Sequence, residues 1–147
     1  MKDATLQAFQ RLFEIIKKLR GPDGCPWDNE QTADSLKPNI LEEAYECVDA
    51  ITSGDNEHIC EELGDLYLLA TMTAYIKEQE NAFTLEDVLT TIAEKLVRRH
   101  PHVFSDVTLE NSEDVITQWN EIKKTENNRI MVRAPHAELN RKIIVSR

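Results

Sequence analysis

The chain has 147 residues, 41% hydrophobic and 30% charged, which is typical of a soluble globular domain long enough to form one hydrophobic core. Its formal charge of −10 argues against a nucleic-acid partner and against an anionic membrane surface, because both require a basic footprint. The three cysteines are odd in number and lack the spacing of a metal site, which predicts reduced thiols in a cytoplasmic protein.

The first predicted element is an amphipathic helix over residues 3–20, which ends at Gly21-Pro22. Its apolar positions recur at helical spacing: Leu6, Phe9, Leu12, Phe13, Ile16 and Leu19. A charged helix of this kind is not a signal peptide. A loop over residues 21–33 follows and contains Trp27. The Trp27 ring either packs on the core or forms a platform for a ligand, and core packing is the favoured interpretation.

Two helices joined by a turn at Gly54 form the centre of the predicted fold. The first carries Glu43 and Glu46 and the second carries Glu62 and Asp65, so each pair is three residues apart and lies on one helix face. Glu46 and Glu62 are each eight residues from Gly54, whereas Glu43 and Asp65 are each eleven residues from it. Equal distance from the turn means equal height in an antiparallel hairpin. We therefore predict four converging carboxylates around a cation that prefers oxygen ligands: Mg²⁺, Mn²⁺ or Ca²⁺.

An alternative interpretation of the first helix is a solvated acidic face, because Glu43 and Glu46 lie opposite its apolar residues. Those apolar residues are Ile40, Ala44, Val48 and Ile51. The second helix is apolar almost all round, which predicts that it is largely buried. A buried carboxylate is costly unless it is neutralised, so Glu62 and Asp65 require either a metal cation or a basic partner, and the metal cation is favoured. A helix this apolar in a chain with few other helices also predicts a homodimer.

A capping box at Thr84 and Asp87 predicts the start of the next helix. Its inward positions are expected to be Val88, Leu89, Ile92, Leu96 and Val97. The helix ends with Lys95, Arg98 and Arg99, which are either partners of the helix dipole or ligands of a polyanion. Lys95 and Arg99 are four residues apart, so both can bind one polyanion.

The last predicted helix covers residues 112–126 and carries Trp119 on its apolar face, with Lys123 near its end. From residue 127 the helical pattern fails, and residues 127–147 carry a net charge of +4. We therefore expect one domain over residues 1–126 and a basic C-terminal tail over residues 127–147. Every predicted element of the domain is helical, so the predicted fold class is all-α.

Several of these residues form motifs that resemble a known family. The run Glu42-Glu43-Ala44-Tyr45-Glu46 followed by Glu62-Leu63-Gly64-Asp65 resembles the EExxE…ExxD signature of the all-α nucleoside triphosphate pyrophosphohydrolases. Other motifs narrow the resemblance to the MazG branch: Cys25-Pro26-Trp27-Asp28, Glu30-Gln31-Thr32, Leu36-Lys37-Pro38, residues 95–104 and the pair Trp119 and Lys123. The resemblance covers about residues 5–126. It departs from the family pattern at Ala33, where the family usually has histidine, and it does not extend beyond Glu126.

The resemblance implies a four-helix core completed by dimerisation, and hydrolysis of nucleoside triphosphates to NMP and pyrophosphate. The implied metal is Mg²⁺, for which Mn²⁺ can substitute, held by Glu43, Glu46, Glu62 and Asp65. The implied substrate contacts come from Lys95, Arg98, Arg99, Trp119, Lys123 and Trp27. The expected catalytic residues are Glu46, Glu43, Lys95 and Arg99, with Glu46 the first choice for the base, because Glu62 and Asp65 are expected to be more buried.

Two other functions remain open from the sequence. One is a base-selective dUTP or dCTP pyrophosphohydrolase, or a phosphoribosyl-ATP pyrophosphohydrolase, of the same superfamily. The MazG-like loop around Trp27 disfavours these branches. The other is a regulatory module that binds a nucleotide without turnover, which the intact set of four carboxylates disfavours.

Overall fold

The computed structural model describes residues 2–130, with side-chain surroundings for residues 3–126. The regular elements of that part are all helices: α1 (Lys2–Leu19), α2 (Pro26–Glu30), α3 (Lys37–Ser53), α4 (Asn56–Gln79), α5 (Leu85–Arg99), α6 (Pro101–Phe104) and α7 (Ser112–Ile130). The all-α prediction is confirmed for these residues. Helix α7 continues four residues beyond its predicted end at Glu126, and the rest of the predicted tail lies outside the described residues. None of the described helices is long and apolar enough to cross a lipid bilayer.

The chain divides into two compact units, Met1–Leu89 and Thr90–Arg147. The first unit contains α1 to α4 and the start of α5. The second contains the rest of α5, together with α6 and α7. Each unit is described by itself below.

The α3–α4 hairpin reverses the chain at Gly54, as predicted. Gly54 has a φ of 75°, and its N–H donates to the Ala50 and Ile51 carbonyl oxygens, which ends α3 in the left-handed conformation that glycine adopts most easily. Asp55 then begins α4 by accepting hydrogen bonds from the backbone N–H groups of Glu57 and His58. The reversal of the chain between α3 and α4 is therefore determined by the adjacent residues Gly54 and Asp55.

The core of the first unit lies around the C-terminal half of α4. Helix α4 packs mainly against α3 and also against α1. The buried cluster consists of Ile16, Leu36, Leu69, Met72 and Ile76. The N-terminal half of α4, which carries the predicted site, therefore extends away from the region where apolar packing is densest.

Within the single chain, several apolar residues that were predicted to be buried are exposed. Leu63 and Tyr67 of α4 are 44% and 61% exposed. The apolar residues of α5 that were expected to face inward are 38–47% exposed: Val88, Leu89, Ile92, Leu96 and Val97. On α3 an exposed apolar stripe covers four positions: Leu41, Tyr45, Val48 and Ile51.

The face of α3 that packs inward instead carries small side chains. On this face Cys47 and Ala50 are buried and Glu43 is half-buried. Small side chains allow α3 and α4 to approach closely, which explains why the inward face of α3 is not its most apolar one. The interpretation of Glu43 as part of a solvated acidic face is therefore wrong. Packing against α4 determines which face of α3 is buried, and the spacing of apolar residues in the sequence does not reveal this packing.

The loop between α1 and α3 is fixed by Arg20. Its Nη1 donates to the carbonyl oxygens of Asp28 and Gln31, and its Nε donates to Gln79 Oε1 over 2.8 Å. The Arg20 side chain is buried and crosses from the end of α1 to α4. Trp27 in this loop is 56% exposed, so the expectation that it packs on the core is wrong: Arg20, not the tryptophan, holds the loop.

The capping box at the start of α5 is confirmed. The backbone N–H of Thr84 donates to Asp87 Oδ2 over 2.8 Å, and the backbone N–H of Asp87 donates to Thr84 Oγ1 over 3.1 Å. Two N–H groups that the helix itself cannot satisfy are thereby paired. Leu85, which follows Thr84, is buried, so the helix begins against the first unit's core.

We expect Gly54→Ala to lower the free energy of unfolding by about 1–2 kcal/mol, because a Cβ disfavours the left-handed conformation even where space is free. No atom lies within 4 Å of a Cβ built at Gly54, so the loss would come from the backbone rather than from a clash. Gly54→Asn is the matched control and should lose less, since asparagine tolerates this conformation. Urea unfolding at one protein concentration measures both. Equal losses for the two variants would contradict the backbone explanation.

Candidate functional site

Three of the four predicted carboxylates converge in the hairpin. Glu43 of α3 and Glu62 and Asp65 of α4 each offer a carboxylate oxygen, and these oxygens all lie within 4.8 Å of one another. Glu62 is buried, whereas Glu43 and Asp65 are half-buried. The turn at Gly54 brings them together because it places the two helices antiparallel with residues of equal distance from the turn at equal height.

Glu46 lies outside this carboxylate trio. It is exposed and lies one turn after Glu43 on α3. Its charge still acts on the trio, because it is among the carboxylates that raise the pKa of Glu43. Its predicted role as a ligand or base stays a prediction.

The surroundings of Glu43 disfavour its negative charge. Burial raises the pKa of Glu43 above its ordinary value, and the neighbouring charges of Asp65, Glu46 and Glu62 raise it further. Both effects disfavour the ionised form of Glu43. A cation among these oxygens would have the opposite effect, since an opposite charge within a few ångströms favours the ionised carboxylate.

Glu62 holds the most informative atom of the site. The residue is 8% exposed, and its Oε2 is buried without a hydrogen-bond partner among the described residues. His58 Nε2 lies 3.0 Å from its Oε1, at the distance of an ion pair. Buried polar atoms are almost always paired, so an unpaired carboxylate oxygen next to two other carboxylates indicates a missing partner. A hard divalent cation, which binds carboxylate oxygens, fits this donor set.

His58 was not predicted from the sequence. It precedes Glu62 by four residues on α4, and this spacing places the two side chains on one helix face. The signal was therefore present in the sequence as an i, i+4 pair. The sequence analysis allowed for a basic partner of Glu62 but did not identify His58 as that partner.

In the second unit, the two arginines at the end of α5 bind Glu126 of α7. Arg99 donates from Nε and Nη2 to Glu126 Oε2 over 2.9 and 2.6 Å, and Arg98 Nε donates to Oε1 over 2.7 Å. The hydrogen bonds from Arg99 and Arg98 lower the pKa of Glu126. Arg99 is 8% exposed, so this contact fixes the end of α5 against α7.

Trp119 completes this cluster. The Arg99 guanidinium lies 5.3 Å from the centre of the Trp119 ring, and the His100 ring meets it edge-on at 4.8 Å. Among the predicted cations, Lys123 is exposed and Lys95 is half-buried, and neither forms an ion pair within residues 3–126. Lys95 and Lys123 are therefore the cations whose charge is available to an anionic ligand.

The chain was compared with known proteins. The family model described as "MazG nucleotide pyrophosphohydrolase domain" matches residues 31–104. A nucleoside triphosphate pyrophosphohydrolase of Escherichia coli K12 is 43% identical over 122 residues, which cover 82% of this chain and 46% of that protein. The Thermotoga maritima protein named "Nucleoside triphosphate pyrophosphohydrolase/pyrophosphatase MazG" is 45% identical over 126 residues, covering 86% of this chain and 48% of that protein.

A third relative, the uncharacterised protein YabN of Bacillus subtilis, is 50% identical over 120 residues, covering 82% of this chain and 24% of that protein. This chain thus spans about half, or less, of the length of these three relatives. Among solved structures, that of a MazG-related protein from Thermotoga maritima superposes with a TM-score of 0.66 at 29% identity, covering 78% of this chain and 98% of that chain. Because the family model matches half of the chain, including all three residues of the carboxylate trio, the chain belongs to the MazG nucleotide pyrophosphohydrolase domain family.

Proposed function

We propose that this chain hydrolyses nucleoside triphosphates to NMP and pyrophosphate in the presence of Mg²⁺, for which Mn²⁺ can substitute. The observation that carries the proposal is the buried Oε2 of Glu62, which has no hydrogen-bond partner in the described part of the chain and lies beside two further carboxylates. The names of the Escherichia coli and Thermotoga maritima relatives support the activity. Glu43, Glu62 and Asp65 would hold the cation, with Glu46 as a further ligand or as the base.

The bound cation would supply charge neutralisation for the phosphate oxygens and would lower the pKa of a coordinated water. Glu46 is suited to orient the attacking water and to accept its proton, because it is exposed and lies one turn from Glu43 without belonging to the trio. Glu62 is suited to a purely ligating role, since its burial leaves little room for a water molecule to be exchanged. The two functions are thereby divided between an exposed and a buried carboxylate.

The choice of the bond that breaks depends on where the rest of the triphosphate is anchored. We propose that Lys95 and Lys123, together with the arginines of α5, bind the β- and γ-phosphates. The guanidinium of Arg99 has five N–H donors, and Glu126 occupies two of its nitrogens. Arg99 therefore reaches a phosphate either through its remaining donors or by releasing Glu126. With the β- and γ-phosphates anchored, the α-phosphorus is the atom open to attack.

Recognition of the nucleoside is proposed for Trp27, with Trp119 in a supporting role. Trp27 lies on α2 with 56% of its surface exposed, while Arg20 fixes the loop that carries it. An exposed, well-anchored indole offers a flat apolar surface on which a nucleobase can stack. Trp119 is half-buried between Arg99 and His100, so its contribution is to hold these groups in place.

We further propose that two copies of the chain form a dimer through the α3–α4 hairpins, giving a four-helix bundle. The support is the exposed apolar stripe of α3, at 48–62% exposure, together with Leu63 and Tyr67 of α4. A contiguous apolar surface of this kind is rare on a monomer and marks an interaction site. Antiparallel helix pairs that bury such stripes against each other form four-helix bundles.

The cytoplasm is the proposed location of this activity. Cys25, Cys47 and Cys60 are all free in the structure, which agrees with reduced thiols. The proposed substrate, a nucleotide, and the proposed metal ion are both available to an enzyme in the cytoplasm. No nucleic-acid or membrane partner is proposed, because the chain is strongly acidic.

The metal proposal predicts a rise in melting temperature with Mg²⁺ or Mn²⁺, because a ligand that binds only the folded state adds about 2.7 kcal/mol at a hundredfold excess over its Kd. Glu62→Gln and Asp65→Asn should abolish this rise and leave the metal-free protein at least as stable, since each removes a repelling charge. Glu61→Gln is the matched control, because Glu61 is exposed on the same helix and does not belong to the trio. Coincident melts of the parent protein with and without metal would refute the site.

The phosphate-binding proposal predicts NMP and pyrophosphate as products, with no orthophosphate. In ¹⁸O-water the label should enter NMP, because water attacks the α-phosphorus. Lys95→Ala should lower kcat/KM by about 10²-fold, the scale of losing one contact to developing charge, without loss of metal binding. Lys124→Ala, at an exposed position on α7, serves as the control. Formation of NDP and orthophosphate, or label in pyrophosphate, would contradict this anchoring of the triphosphate.

The dimer proposal predicts twice the monomer mass in sedimentation at micromolar concentration. A charge placed in the apolar stripe, as in Val48→Asp, should produce monomers, because the carboxylate would be buried without a partner. Gln10→Glu, at an exposed position on α1, adds a charge outside the stripe and should leave the dimer intact. A monomeric parent protein, or a Val48→Asp variant of unchanged mass, would show that the stripe is not the interface.

A further inference from the structure

We infer that His58 is a positioning residue for Glu62: it fixes one carboxylate oxygen so that the other remains free to bind the cation. His58 Nε2 lies 3.0 Å from Glu62 Oε1, and Glu62 Oε2 is buried without a partner among the described residues. Because a carboxylate oxygen can only accept, this role requires the His58 ring nitrogen to be the donor. The inference rests on the metal centre of the proposed function and concerns how one of its ligands is oriented.

The two oxygens of Glu62 have different roles in this arrangement. An isolated glutamate carboxylate rotates almost freely about its last bond, so either oxygen, or both, could face the cation. A hydrogen bond donated by His58 across the 3.0 Å between Nε2 and Oε1 would remove that freedom by holding Oε1. Glu62 would therefore bind through Oε2 alone. Groups that orient a metal ligand in this manner commonly change metal affinity by about 10–100-fold.

His58 is itself held by the turn that creates the hairpin. Its backbone N–H lies 3.4 Å from Asp55 Oδ1, in the capping interaction that begins α4. Its side chain is 45% exposed and does not belong to the carboxylate trio, so it lies beside the proposed metal position rather than in it. A chain of contacts thus connects the chain reversal at Gly54 and Asp55 with His58, and His58 with the proposed ligand Glu62.

A different role would be that of a substitute cation, in which the imidazole neutralises Glu62 until metal displaces it. The two roles give opposite results when the ring is removed. An orienting donor strengthens metal binding, so its loss weakens binding. A competing cation weakens metal binding, so its loss would strengthen binding. The contact geometry favours the orienting role, because His58 pairs with one oxygen and leaves the other unpaired.

The experiment measures Mn²⁺ binding to the full chain by electron paramagnetic resonance, without nucleotide, for the parent, His58→Phe and His58→Gln. His58→Phe keeps a ring but removes the donor, and we expect Mn²⁺ binding to weaken by about 10-fold. His58→Gln retains an N–H donor and should recover most of the affinity. Melting temperatures in EDTA, expected to be equal for the three proteins, show whether a change in affinity reflects general loss of structure.

Each outcome decides between the interpretations. If the parent chain binds no Mn²⁺, the proposed metal centre is wrong, and the positioning role of His58 is then wrong as well. If the parent binds Mn²⁺ and His58→Phe binds equally or more tightly, the metal centre stands and the positioning role is wrong. A His58→Gln variant as weak as His58→Phe would also contradict positioning by a donated hydrogen bond.

Discussion

The fold holds three carboxylates close together in spite of their mutual repulsion. The oxygens of Glu43, Glu62 and Asp65 lie within 4.8 Å of one another, and this proximity contributes to the raised pKa of Glu43. Apolar packing further along α4, around Met72, holds the hairpin closed against this repulsion. The carboxylates therefore repel one another in the folded chain, and a divalent cation would relieve this repulsion. Metal binding would for that reason stabilise the hairpin.

Much of this arrangement could be predicted from the sequence, because it depends on local rules. The turn at Gly54 follows from glycine's access to positive φ, and the capping box at Thr84 follows from hydroxyl and carboxylate groups three residues apart. Convergence of the carboxylates follows from equal distances to the turn. What could not be predicted is which helix face turns inward. Val48 makes one face of α3 the more apolar, yet the face with Ala50 is buried, since close approach of two helices favours small side chains.

Contacts between distant positions were also beyond prediction. The sequence indicates that Arg98 and Arg99 end α5, but nothing local shows that Glu126, 27 residues after Arg99, accepts from both. Likewise, Arg20 anchors the loop by reaching Gln79, 59 residues away. Both contacts change the functional interpretation. Among the predicted phosphate ligands, the first leaves Lys95 and Lys123 as the cations without an ion pair within residues 3–126. The second explains how Trp27 is held in place while remaining exposed.

The measurement that tests the central claim most directly is a pH titration of the Glu43 side-chain carboxyl by ¹³C NMR, with and without saturating Mg²⁺. Without metal, the pKa should lie above the ordinary glutamate value, because burial and the neighbouring charges of Asp65, Glu46 and Glu62 disfavour ionisation. With Mg²⁺ it should fall below that value, because the cation stabilises the ionised form. A pKa that Mg²⁺ leaves unchanged would contradict the claim that these carboxylates form one metal site.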